Sequence, residues 1–167
     1  MSTLHPNIDT LRAIYANLRC IDQYSDDNIV LHTADRGASG GPAEVVGKAA
    51  VLAKELDLIR LSADTLVMEV HNIIANDYFG AVMGILRTRR NHSTIGMPFC
   101  GLWRFRDGLI VEHWENAYNA AELGTFLMGQ DIGTSNWVSS SKSPASAIHE
   151  QAASNEWHGQ RAGAPHP

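Results

Sequence analysis

His113 and Glu115 stand two residues apart in the run Leu-Ile-Val-Glu-His-Trp-Glu that ends at position 115. On an extended strand, alternate side chains leave the same face, so the imidazole and the carboxylate point the same way. Such a pair on a mostly apolar face can move protons: lost solvation pushes a carboxyl upward toward the neutral range, where acid/base catalysis is most efficient. The structural alternatives are a hydrogen-bonded core histidine and an exposed or helix-capping carboxylate. Four other polar side chains qualify as helpers. Tyr24 can offer a phenolic hydrogen bond to a carbonyl, and Asp27 is either an acid at a pocket rim or a turn residue in Ser-Asp-Asp-Asn. His32 is expected at a strand end and His71 mid-strand, each a candidate to assist Glu115 or an ordinary core or surface histidine.

The element that must position His113 and Glu115 is a hairpin. Asp107-Gly108 is a dipeptide suited to the positive φ angles of a two-residue turn, and it separates two aromatic and β-branched runs. Regular pairing across that turn opposes Arg106 to Leu109 and puts Cys100, Leu102 and Arg104 on the face of Val111, His113 and Glu115. Phe99, Trp103, Phe105, Ile110 and Trp114 then form the opposite and more apolar face, which suits a subunit interface or a dock for the C-terminal tail. A bulge would shift the register and carry Glu115 to that aromatic side.

Ahead of the hairpin, apolar spacing predicts a helix over residues 6–19, with Ile8, Leu11, Ile14, Tyr15 and Leu18 as its stripe, and a short second helix over 21–24. A strand at 29–32, a flexible loop at 35–42 and a helix from 47 to about 60 follow, the last from Val51, Leu52, Leu56 and Ile59 recurring at helical spacing. The period then changes to that of strands, at 66–74, 78–90, 97–106 and 109–116, before a helix at about 120–128. Helices followed by an antiparallel meander indicate an α+β domain over residues 1–132. Residues 133–167 are rich in Ser, Ala, Gly, Pro and His and are expected to form a flexible or partner-wrapped tail.

The chain has 167 residues, 44% hydrophobic and 19% charged, as expected of one globular domain. Its net charge of −5 argues against nucleic-acid binding, because no basic face exists to neutralise phosphates; the cluster from Arg87 to Arg90 reads as a solvated strand end. Cys20 and Cys100 have neither disulfide-framework nor metal-ligand spacing, and no apolar run approaches a membrane span, so a cytoplasmic protein with no membrane association is expected. Phosphate loops, dinucleotide fingerprints, nucleophile elbows and paired-histidine metal motifs are missing, which leaves acid/base chemistry with no cofactor and no metal.

The order helix, helix, meander, the segment Trp-Arg-Phe-Arg-Asp-Gly-Leu-Ile-Val-Glu-His-Trp-Glu-Asn from Trp103, Tyr-Ser-Asp-Asp at 24–27 and Gly47 at a helix start together resemble the SnoaL-like polyketide cyclases. These belong to the nuclear-transport-factor-2-like superfamily, with ketosteroid isomerase, scytalone dehydratase and limonene epoxide hydrolase. The resemblance covers residues 6–128. It implies a cone-shaped half-barrel: a curved antiparallel sheet, helices packed on its concave face around a pocket, and a homodimer. It also implies that Glu115 takes the position of the acid/base aspartate of the cyclases and the epoxide hydrolase, with Tyr24 in the role of the tyrosine that bonds a substrate carbonyl in the isomerase and dehydratase.

The departures are specific. The epoxide hydrolase's Arg-x-Asp would fall at Val82 and Gly84, its water-binding Tyr and Asn near Leu31 and Thr33, and the cyclase's histidine near Gly101. The implied enzyme isomerises, cyclises or dehydrates a hydrophobic carbonyl compound such as a polyketide or terpenoid intermediate. Glu115, His113 and Tyr24 would be catalytic, and Asp27, His32, His71, Leu102 and Val82 would line the substrate pocket. The alternatives are a hydrolase or hydratase in which Glu115 activates water, and a non-catalytic ligand-binding or dimerisation module.

Overall fold

The computed structural model describes residues 4–37 and 40–129; the expected tail at 133–167 lies outside the described residues. Helix α1 (Pro6–Ala16) starts where proline suits the first turn and His5 Nδ1 accepts the Asn7 amide. It ends three residues short of the predicted stop, because Asn17 adopts an extended conformation and its side chain caps a separate 3₁₀ turn, Leu18–Tyr24. Strand β1 (Ser25–His32) follows directly and absorbs Asp26 and Asp27, read above as turn residues. The loop ends in a short strand not foreseen from the sequence, β2 (Glu44–Val46), which leads into α2 (Lys48–Leu61). Strands β3 (Val67–Ala75), β4 (Phe79–Arg90), β5 (Ser93–Arg106) and β6 (Leu109–Trp114) and helix α3 (Ala120–Leu127) match the predicted order.

The six strands form one curved, unclosed sheet in the order β2-β1-β6-β5-β4-β3. All neighbours are antiparallel except β1 and β6, whose parallel pairing closes the chain back on its first strand. The helices cover the concave face, and the core of Leu11, Ile14, Ile21, Leu31, Val51 and Phe126 lies between them and the sheet. This is the expected α+β architecture. No described helix is long and apolar enough to cross a membrane.

The hairpin carries the decisive detail. Asp107 (φ 53°) and Gly108 (φ 79°) make the predicted tight turn, and Arg106 opposes Leu109 and Phe105 opposes Ile110 as expected. The next pair is Arg104 with Glu112, so Val111 is an extra residue in β6. Beyond it every side chain changes face: Trp103 pairs with His113 and Leu102 with Trp114. His113 therefore shares the concave side with Trp103, Phe105 and Ile110, all nearly fully buried. Trp114, beyond the bulge, does face the convex side, but for Phe99, Trp103, Phe105 and Ile110 the expectation of an outer interface opposite Glu115 is corrected. They are the core, and the acid is among them.

A second correction concerns α2. The apolar spacing that defines this helix includes Leu56 and Ile59, yet Leu56 is exposed and the residues buried in it are Val51 and Glu55. Helix α2 has turned a carboxylate inward.

Candidate active site

Between the concave face of the sheet and helices α1, α2 and α3 lies a cavity of about 320 Å³. That volume suits a small organic molecule. Most of its wall is apolar, with Leu58, Leu61, Met68, Phe99, Leu123 and Leu127 among the lining residues. Tyr15, Glu55, Trp103, His113 and Glu115 supply polar groups. One ligand atom each from Glu55, His113 and Glu115 lie within 4.8 Å of one another.

Each member of this trio arrives by a different route. Glu115 follows the end of β6, where its amide donates to the His32 carbonyl and extends the parallel ladder by one step. Its carboxylate accepts the Ala34 amide at 3.0 Å. Burial raises its pKa, opposed by that amide and by the positive charges of Lys54 and Arg36. Glu55 enters from α2, is 2% exposed, and makes no hydrogen bond to a described residue. Burial, and then the charge of Glu115, hold its carboxyl well above the usual range, with Lys54 opposing.

His113 is fixed on both sides. Its ring stacks on Trp103 with centroids 3.5 Å apart, and Nδ1 lies 3.0 Å from the Leu102 carbonyl. A carbonyl only accepts, so Nδ1 carries the proton and Nε2 keeps its lone pair. Burial pushes the imidazole down to about 3, against the Leu102 contact, so it is neutral at physiological pH.

Tyr15 from α1 completes the site. Its ring stacks on Phe99 and meets Trp103 edge-on. A Cβ added to Gly101 would sit 2.0 Å from the Tyr15 hydroxyl, so the glycine at this strand position leaves the space that the hydroxyl fills. Burial, and the nearby carboxylates, raise the phenol above its ordinary value, opposed by Trp103, so Tyr15 remains a donor. The Trp103 indole N–H is buried and makes no well-formed hydrogen bond. Two donors thus lie close together beside Gly101, near the neutral imidazole.

Of the residues expected in the pocket, the fold brings only His113 and Glu115 to the cavity. Tyr24 ends the 3₁₀ turn and packs against the core away from the cavity; Tyr15, nine residues earlier, is the tyrosine that reaches it. Asp27 is exposed and pairs with Lys48 at 2.8 Å. His32 lies on the convex side, stacked on Trp114 and held between Glu112 at 2.8 Å and Glu44 at 3.2 Å. His71 is exposed beside Glu69. Leu102 faces outward, 43% exposed, and serves His113 only through its carbonyl. Val82 is wholly buried in the core, opposite Gly101 in the register, and does not line the cavity.

Glu55 and Tyr15 were missed as site residues. By its spacing Tyr15 reads as part of an apolar stripe. Glu55 left a faint signal, since Val51, Glu55, Leu58 and Ser62 follow helical spacing and place one acid in an inward row.

The model of the SnoaL-like domain family matches residues 14–113. The chain belongs to this family. No curated protein matches. Among solved structures, Bal32a from a soil-derived mobile gene cassette is 19% identical with a TM-score of 0.64, covering 72% of this chain and 95% of its own. TerC, co-crystallised with polyporic acid, is 21% identical with a TM-score of 0.57, covering 71% and 98%. IdmH from Streptomyces antibioticus, a candidate polyketide cyclase, is 20% identical with a TM-score of 0.57, covering 75% and 99%. At these identities the likeness is one of fold, and a SnoaL-like fold hosts the cavity and its acids.

Proposed function

We propose that this SnoaL-like protein is a cofactor-independent acid/base enzyme that isomerises or cyclises a hydrophobic carbonyl compound. The observation that carries this is the convergence of Glu55, His113 and Glu115 in a largely apolar cavity. Two carboxylates this close in a poorly solvated site do not both ionise readily, so one holds a proton while the other takes one. The Ala34 amide and the nearby cations favour charge on Glu115, which makes it the base and Glu55 the acid.

In this mechanism Glu115 removes a proton from the carbon next to the substrate carbonyl. The C–H electron pair moves into the new carbon–carbon double bond and the carbonyl π pair onto oxygen. Tyr15 donates to that oxygen, and the Trp103 N–H adds a second dipole beside it. Reprotonation at another carbon gives an isomer. Attack by the enolate carbon on a second carbonyl gives a ring, with the new alkoxide taking its proton from Glu55 or from the now protonated Glu115. The neutral His113 can accept a hydrogen bond from a protonated carboxyl at Nε2.

The substrate-independent test is hydrogen–deuterium exchange at the α-carbon of a hydrophobic ketone such as 2-tetralone, followed by NMR. Glu115→Gln should slow enzyme-dependent exchange by about 10²- to 10⁴-fold with the fold intact. Exchange at the wild-type rate in that variant would reject the mechanism.

The convex face supports the homodimer expectation. Ile74, Phe79, Leu102 and Trp114 line a shallow apolar groove there, and the first three are more than 40% exposed. Sedimentation of wild type and Leu102→Glu tests it: a dimer that the substitution dissociates agrees, and a monomeric wild type does not.

A further inference from the structure

We infer that Glu55, His113 and Glu115 form a site for a divalent transition-metal ion, and that an ion bound there blocks proton transfer. This goes beyond the acid/base reading and shares its residues, so occupancy by metal and catalysis by the free carboxylates exclude one another.

The donor set is one imidazole nitrogen and two carboxylate oxygens within 4.8 Å of one another. A first-row ion holds each such atom at about 2.0–2.2 Å from itself, which sets tetrahedral donors about 3.3–3.6 Å from one another, a contraction that rotation of the two carboxylates toward the fixed His113 ring would supply. Glu55 gives an observation beyond the clustering itself. It is 2% exposed, lines the cavity, and accepts no hydrogen bond from a described residue, so no protein donor meets its lone pairs. A cation would match them.

His113 has the arrangement typical of a metal-bound histidine: Nδ1–H donates to the Leu102 backbone carbonyl, which fixes the tautomer and leaves Nε2 as the free ligand atom. The stack on Trp103 holds the ring plane. Three protein ligands leave coordination positions for water or another oxygen ligand, and Trp103, whose buried N–H makes no well-formed hydrogen bond, lines the same cavity as a donor to it. One nitrogen and two oxygens suit Zn²⁺, Co²⁺, Mn²⁺ or Fe²⁺ better than Mg²⁺ or Ca²⁺, which favour all-oxygen shells. The histidine and acids of the convex side do not form a comparable site, because Glu44 and Glu112 occupy opposite nitrogens of His32.

The test is titration of the chelator-treated full chain with Co²⁺, read by visible d–d absorption, and with Zn²⁺, read by calorimetry. One ion per chain is expected. Glu55→Gln, His113→Asn and Glu115→Gln should each weaken binding by about 10- to 100-fold, while His32→Gln should bind as wild type. Circular dichroism identifies any variant that has lost the fold, and Glu55→Gln, which keeps the side-chain volume and replaces a neutral carboxyl by a neutral amide, is the variant expected to keep it. Absence of the cobalt spectrum, or equal affinity in a folded Glu55→Gln protein, overturns the metal site and leaves the acid/base reading standing. Zn²⁺ should abolish α-proton exchange; stimulation of exchange by Zn²⁺ overturns the blocking role and the cofactor-independent reading together.

Discussion

Glu55 and Glu115 approach one another inside one cavity, yet among the described residues only Glu115 receives a hydrogen bond, from the Ala34 amide. This asymmetry separates two chemically similar groups. The carboxyl with a donor is the better anion, and the one without more readily keeps its proton.

Glu55→Gln should therefore stabilise the protein at alkaline pH. Folded-state pKa values raised by burial mean that the folded chain binds these protons more tightly than the unfolded chain. Their contribution to stability is complete below the ordinary carboxyl range and is lost as pH rises through the raised values. Thermal unfolding from about pH 4 to about pH 9 should show a smaller alkaline decline in Glu55→Gln than in wild type. Parallel curves would mean that Glu55 is not held protonated.

His113 acts at the other end of the pH scale. Its folded-state pKa of about 3, against an ordinary 6.5, gives stability that is complete above 6.5 and is lost as pH falls toward 3. A His113→Gln protein, with no proton to gain, should lose less stability than wild type between these values. An unchanged acid limb would show that another group dominates acid unfolding.

Arg36 should tune Glu115 from outside the cavity. Its guanidinium donates to the Thr33 carbonyl and to Asn116, tying the loop that carries Ala34 to the strand end that carries Glu115. Arg36→Met removes this clamp and a positive charge that lowers the Glu115 pKa. The acid limb of kcat/KM for α-proton exchange should move to higher pH, with maximal kcat less affected. A pH profile that overlays that of wild type would contradict this role.

Gly101→Ala places a methyl group 2.0 Å from the Tyr15 hydroxyl and 3.0 Å from Trp103 Nε1. Either Tyr15 withdraws or the strand shifts, at a cost of about 1–3 kcal/mol in chemical denaturation. Exchange activity should fall with it. Tyr15→Phe, which removes only the hydroxyl, should lower exchange while sparing stability, and equal activity of both variants with wild type would remove Tyr15 from the mechanism.

Asp27→Asn and His71→Gln act as controls. Both side chains are exposed, each in a surface ion pair, and neither reaches the cavity. Exchange rate and melting temperature should match wild type, and a large loss of activity would relocate the site.

Much of the fold was legible because it is written in local patterns. The Asp107-Gly108 turn, the long paired strands β4 and β5 and the stripe of Leu11 and Ile14 follow from turn chemistry and from periods of 2 and 3.6. The site was legible in part. His113 and Glu115 share a face by strand alternation alone, but the face they share depends on Val111, whose bulge reverses the register without a local sequence signal. Tyr24, with its acidic neighbours, read as the polar helper, while Tyr15 sat in an apolar stripe; the two are distinguished by where α1 stops, and Asn17 decides that.

The sequence by itself determined the long helices and strands and their order, the tight hairpin and the proximity of an imidazole to a carboxylate on one strand. Only the tertiary structure decided that Glu55 meets them, because α2 rotates to lay Val51 and Glu55 against the sheet and leaves Leu56 in solvent. Pairing within a strand is governed by the chain's own geometry. The meeting of α1, α2 and β6 is governed by how their surfaces pack, and that packing created the cavity in which two carboxyls, an imidazole and a phenol converge.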